Sequence, residues 1–212
     1  VNLFDKSSKK KGLIEHTYNK STVFKYTLDI KNSHYESNIY QENTNVNHFN
    51  KTILGSFVYD ISIKFSVSQI VINSDKDSDL QTLVYGFLKK DFTYSVYKKN
   101  SNKSNYKTSF KLHKNLLSQL NSINFLKELV TEPSNIIFPI SFANRTQSQI
   151  NKKNVSFLKL DKNKIKKIGL NCLLAVSQGS KRDPMVMEFK KKNSKKNVDI
   201  LFVGKGVCFD SG

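Results

Sequence analysis

Cysteine is scarce. The 212 residues hold only Cys172 and Cys208, with no C-x-x-C spacing and no neighbouring pair of histidines. That excludes a disulfide framework and a zinc knuckle, and the apolar neighbours of both residues predict buried free thiols in a reducing compartment. Long hydrophobic runs are missing too: no stretch approaches the roughly 18 apolar residues of a membrane-spanning helix. The opening V-N-L-F-D-K-S-S-K-K-K-G has no continuous apolar core of the signal-peptide kind. The expectation is a cytoplasmic chain with no membrane partner. Acidic residues are also few, 17 against 35 Lys and Arg, for a formal charge of +18. Such an excess raises nucleic acid as a partner. The lysines, however, are scattered among abundant Asn, Ser, Ile, Phe and Tyr, the mixture that a very AT-rich genome imposes on any protein. Nucleic acid stays open as a partner without being expected.

Hydrophobic periodicity supplies the elements. Residues 1–20, polar and Lys-rich, read as a frayed end or a first strand around 12–16, and a strand is predicted over 22–31, where T-V-F-K-Y-T-L-D-I-K alternates in part, with Val23, Phe24, Tyr26, Leu28 and Ile30 as core candidates. Residues 32–50, rich in Asn, Ser and His, read as a long loop. His16, His34 and His48 lie at no metal-ligand spacing from one another and read as surface residues. Ile53, Leu54, Phe57, Val58, Ile61 and Phe65 recur at the spacing of a helix packed on a sheet. A short β-branched strand over 69–73 follows, and Asp77 and Asp79 then precede a second helix striped by Leu80, Leu83, Val84, Phe87 and Leu88. Tyr94 and Tyr97 beyond it are taken as core. Strand, helix, strand and helix in succession predict an α/β domain with parallel strand pairs. The Lys/Asn/Ser run at 98–111 reads as a surface excursion.

Leu116, Leu117, Leu120, Ile123, Phe125, Leu126, Leu129 and Val130 then define a long amphipathic helix, ended by Pro133. A boundary near residue 130 divides the chain into two domains, a smaller N-terminal α/β domain with its linker helix over 1–130 and the start of a second α/β domain with a mixed sheet over 131–212. In the second, Pro139 and Ser141 open a helix to about Ile150 with Ser141 as cap, and residues 155–160 form a strand. Asp161 caps a short helix ended by Gly169, and residues 184–189 form a further strand.

The last fifteen residues read V-D-I-L-F-V-G-K-G-V-C-F-D-S-G. The apolar run 200–203 predicts a strand buried on both faces, and Gly204 and Gly206 bracket Lys205 at its end, leaving room for a ligand. Asp210 follows five residues on, so a cation and a carboxylate are presented together. A phosphate-cradling loop is excluded, because it would need G-x-x-x-x-G-K-[ST] and Asp199 stands at the position of its first Gly.

V-G-K-G-V-C-F-D-S-G resembles the metal-binding signature of the leucine aminopeptidase (cytosol aminopeptidase) family, in which the Lys and the Asp are both ligands of a pair of divalent cations. The junction L-K-E-L-V-T-E-P-S-N-I-I-F-P is similar to that family's linker, with Thr131 where Asn is usual and Lys127 where Arg is usual. N-C-L-L-A-V-S-Q-G-S is similar to its apolar segment before a Q-G-S turn. The resemblance covers residues 50–212 and is clearest from about 126 onward. It implies Lys205 and Asp210 as metal ligands, two divalent cations, Mn or Zn, as cofactors, peptides as substrates, and a hexamer. A lysine ligates a metal only after losing its proton, which from an unperturbed pKa near 10.4 costs roughly 4.6 kcal/mol at neutral pH. The family's remaining ligands and its catalytic arginine lie beyond Gly212, so the chain is expected to be an inactive fragment. Two other classes stay open: a basic nucleic-acid-binding module, and a non-catalytic remnant of the family that serves in assembly.

Overall fold

The computed structural model describes residues 2–3, 12–19, 22–31, 34–41, 48–64, 66, 69–72, 74, 76–97, 106–150, 154–192 and 200–208, up to residue 48 and at residue 50 by backbone alone. The chain divides into two compact units, Val1–Leu126 and Lys127–Gly212.

The first unit opens with four strands, β1 (Asn2–Leu3), β2 (Gly12–Asn19), β3 (Thr22–Lys31) and β4 (His34–Gln41). They form one sheet in the order β1-β4-β3-β2, and every pairing in it is antiparallel. This corrects two expectations. The stretch expected as a loop supplies β4, whose pairing with β3 runs from Lys31↔His34 to Phe24↔Gln41. Asn and Ser are poor strand formers, but β3 offers a full row of backbone donors and acceptors that must be met. Cross-strand bonding thus overrides local composition. The expected parallel pairing survives, among the described residues, only between β5 (Gln69–Ile70) and β6 (Lys107–Thr108).

Helices α1 (His48–Lys64) and α2 (Asp77–Lys90) make the core. Ile53, Phe57, Val58 and Ile61 of α1 meet Leu83, Val84 and Phe87 of α2, with Ile70 and Ile72 packed among them. Phe87 is fully buried, a burial worth about 1.5–3 kcal/mol. Its ring is met edge-on by Tyr59, Tyr106 and Phe110 at centroid distances of 5.3, 5.6 and 5.2 Å. Asp77 and Asp79 lie in the first turn of α2 and Lys89 and Lys90 in its last, each sign at the end where the helix dipole favours it. Tyr97, expected in the core, is 59% exposed and meets Tyr94 edge-on instead. It lies beyond α2, where the helical stripe no longer dictates which way a ring faces.

Helix α3 (Lys114–Thr131) runs through the division between the units, and Pro133 follows two residues after it. In the second unit come α4 (Pro139–Gln149), β7 (Val155–Leu160), α5 (Lys162–Lys167), α6 (Asn171–Ser177) and β8 (Val186–Lys191). Arg145 of α4 reaches back to Glu132 at 2.9 Å and Glu128 at 3.5 Å. β7 and β8 pair antiparallel from Val155↔Lys191 to Leu160↔Val186, with the rings of Phe157 and Phe189 5.0 Å apart. Helices and small sheets together make an α/β protein. Among the described residues no helix is long and apolar enough to cross a membrane.

Residues 200–208 depart most from expectation. The run 200–203 is not a strand, and Phe202 and Val203 are 90% and 88% exposed. A strand is buried on both faces only when neighbouring strands satisfy its backbone and helices cover its sides, and no described strand pairs with this one. The thiols differ as well: Cys172 is exposed and Cys208 only half-buried.

Candidate functional site

Lys205 lies in the irregular segment 200–208 and is exposed. An added Cβ at Gly204 or Gly206 would meet nothing within 4 Å, so both flanks of the lysine are open to an incoming ligand. Asp210, the other candidate ligand, lies outside the described residues, as do Val198 and Asp199. Among the described residues, no three His, Cys, Asp or Glu side chains gather into a group that could hold a metal ion.

A pocket of about 290 Å³ is lined in part by the residue that follows the lysine. Gly206 and Cys208, on the segment that carries Lys205, line it together with Ile137, Phe138 and Pro139 from the start of α4. Ser134, Ser180 and Arg182 complete the lining. Each wall is held locally. Ser141, expected as the cap of α4, stands in its first turn and reaches back: its Oγ accepts from the Phe138 N–H at 2.9 Å and donates to the Ile136 carbonyl at 2.7 Å. The first of these bonds meets a backbone N–H of the kind that a helix start leaves without an intrahelical partner, and together they tie the turn before α4 to its first turn. Asp161 caps α5 as expected, accepting from the Lys164 N–H at 2.9 Å, and Gly169 ends that helix with a φ of +80°.

The Q-G-S turn leads into Ser180, whose Oγ accepts from the Arg182 N–H at 3.0 Å. Lys162 bonds Asp183 at 2.9 Å. Arg182 lays its guanidinium over the Phe138 ring, 4.1 Å from the centroid, a cation–π contact. Burial pushes the Cys208 thiol up from its ordinary pKa, so it stays neutral near pH 7 and is a poor nucleophile. Sequence reading singled out Lys205 and Asp210 but not Arg182, Phe138, Ser134 or Ser180. The only available signal was K-R-D-P after Q-G-S, and nothing in that string says where Phe138 lies.

Comparison with known proteins gives a consistent picture. Residues 124–212, which include Lys205 and Asp210, match the cytosol aminopeptidase family, catalytic domain. A probable cytosol aminopeptidase of Phytoplasma mali (strain AT) is 33% identical over 152 residues, covering 64% of this chain and 30% of that protein. One from Rhodopseudomonas palustris (strain BisA53) is 40% identical over 94 residues, covering 44% of this chain and 19% of that protein. The fold is similar to that of a mutant of tomato leucine aminopeptidase, with a TM-score of 0.60 at 18% identity over 80% of this chain and 38% of that one. The chain thus spans less than a third of the length of these curated relatives.

Proposed function

We propose that this chain, which belongs to the cytosol (leucine) aminopeptidase family, is part of a cytoplasmic, metal-dependent aminopeptidase that removes amino-terminal residues, leucine among them, from peptides. The observation that carries the reading is the catalytic-domain match over 124–212, within which V-G-K-G-V-C-F-D-S-G presents Lys205 and Asp210. We assign residues 1–130 to an N-terminal α/β domain with its linker helix, residues 131–212 to the beginning of the catalytic domain, and the assembled protein to a hexamer.

The donors fit divalent cations in kind. Lys205 is exposed between two unobstructed glycines, and Asp210 adds a carboxylate with two oxygens that can bridge. In number they fall short, since a tight site generally uses at least three or four protein donors. A pair of Mn or Zn ions would supply Lewis-acid polarisation of the scissile carbonyl and a water acidic enough to react near neutral pH. Lys205 would offer its amine after losing a proton, and Asp210 would hold one ion or bridge both. By this ligand count the 212 residues alone do not turn over substrate.

The test uses the longest protein that carries this chain. Release of leucine from leucyl peptides should require Mn or Zn, stop on chelation, and be abolished by Asp210→Ala. Undiminished activity in that variant would overturn the assignment of Asp210.

A further inference from the structure

Arg182 carries a charge that no described carboxylate meets. Its neighbour Asp183 is engaged by Lys162 at 2.9 Å. The guanidinium itself lies on the Phe138 ring, and the backbone N–H is held by Ser180. A guanidinium that meets one ring still has N–H donors to spare among its five, and the planar fork of its N–H edge matches a carboxylate. The edge belongs to a residue lining the pocket of about 290 Å³. Ser180 Oγ already accepts a bond from the Arg182 backbone, so its own proton remains to be donated, and Ser134 brings a second hydroxyl. Ile137, Phe138 and Pro139 give the same pocket an apolar lining. The volume lies at the lower limit of the ~300–1,000 Å³ usual for small-molecule sites. That suits the carboxyl-terminal end of a short peptide, its carboxylate and one side chain.

We propose that this pocket receives the terminal carboxylate of a short peptide, with Arg182 and the two serine hydroxyls holding the carboxylate and the apolar lining taking the adjoining side chain. Gly206 lines the pocket and is the residue after Lys205, so a peptide anchored here lies beside the segment that carries the candidate metal ligand. The protein is thereby biased toward dipeptides and tripeptides over long chains, whose carboxylates lie too far from their amino ends. The naming of a peptide rests on the aminopeptidase reading. Recognition of the carboxylate needs no metal, which separates the two experimentally.

The experiment is a magnetic-resonance titration of the isotope-labelled 212-residue chain without added metal, following the Arg182 Nε–H and the Gly206 and Cys208 amides. The probes are glycylleucine, its C-terminal amide and inorganic phosphate. Glycylleucine should bind saturably, and the amide about tenfold more weakly or worse, the difference expected for a charge-assisted hydrogen bond. Phosphate should bind more weakly than glycylleucine, because the apolar lining adds nothing for it. Arg182→Gln should weaken glycylleucine by a similar factor, Arg182→Lys should restore only part of the loss, and Lys181→Gln should change nothing. Equal binding of the amide, phosphate binding as tight as glycylleucine, no saturable response, or an unaffected Arg182→Gln would each overturn the proposal. Glycylleucine binding by the chain, with no metal-dependent peptidase activity in the longest protein that carries it, would retain this site and remove the aminopeptidase reading; activity in that longer protein without binding here would do the reverse.

Discussion

Gly86 of α2 lies so close to Thr52 of α1 that a methyl group on it would overlap the Thr52 carbonyl oxygen. Gly55 of α1 faces the Leu83 carbonyl in the same way. The two helices therefore touch backbone to backbone at this crossing, and Ser56 Oγ seals it by donating to the Gly86 carbonyl at 2.9 Å. The close approach brings Phe57 and Val58 against Leu83, Val84 and Phe87.

Gly55→Ala and Gly86→Ala should each destabilise the protein by roughly 1–3 kcal/mol, the usual cost of overpacking a close-packed contact. The obstructing atoms are backbone and cannot swing aside. Gly179→Ala is the control, since nothing lies within 4 Å of a Cβ placed there, and it should leave stability nearly unchanged. Urea denaturation followed by circular dichroism checks all three.

Short helix α5 depends on its ends. Asp161→Ala removes the acceptor for the Lys164 N–H and should cost about 1 kcal/mol. Gly169→Ala forces a side chain onto a φ of +80°, a left-handed conformation costing roughly 1–2 kcal/mol. Asp161→Asn, which keeps an acceptor, should cost much less than Asp161→Ala. Amide hydrogen exchange over 162–168 reads each effect locally.

The Lys51 ammonium donates to Asp79 and holds its carboxyl below the ordinary carboxylate value, with Lys76 and Ser78 assisting and desolvation opposing. The sign follows from that depression. The contribution to stability is complete above the unfolded carboxylate value and is lost as pH falls through the lower folded one, from about pH 4 downward. Asp79→Asn should therefore lower the neutral plateau modestly and flatten the acid limb, the two stability profiles converging at low pH, as thermal melts from neutral into the acid range would show.

Metal binding by the 212-residue chain should be weak. Calorimetric titration with Mn or Zn should find no stoichiometric submicromolar site, because two donors, one of them a lysine, do not offset the loss of the lysine proton. A tight site that disappears in Asp210→Ala would show the ligand count to be wrong.

Much of the fold was legible where periodicity and local chemistry agree. The stripe Leu80, Leu83, Val84, Phe87 marked α2, Pro133 marked the end of α3, and Asp161 with Gly169 bounded α5 within a residue. The class, α/β, was legible from the alternation of such segments. β4 was not, because H-Y-E-S-N-I-Y-Q has little strand character of its own and is held by its register with β3. The string around Lys205 was legible as a resemblance to a family signature, and it lies within the catalytic-domain match over residues 124–212.

The sequence by itself determined the elements whose causes are local: helix stripes, caps and stops. Tertiary structure alone decided which carbonyls Gly55 and Gly86 approach, that Tyr97 faces outward, and that Arg182 settles on Phe138, forty-four residues earlier in the chain. It also left the run 200–203 exposed, because an apolar run specifies that it can be buried but not what will cover it. The physical reason is one of range. Caps and periodicities act within a turn or two of chain, whereas pairing, close approach and burial depend on partners that only the folded chain brings together.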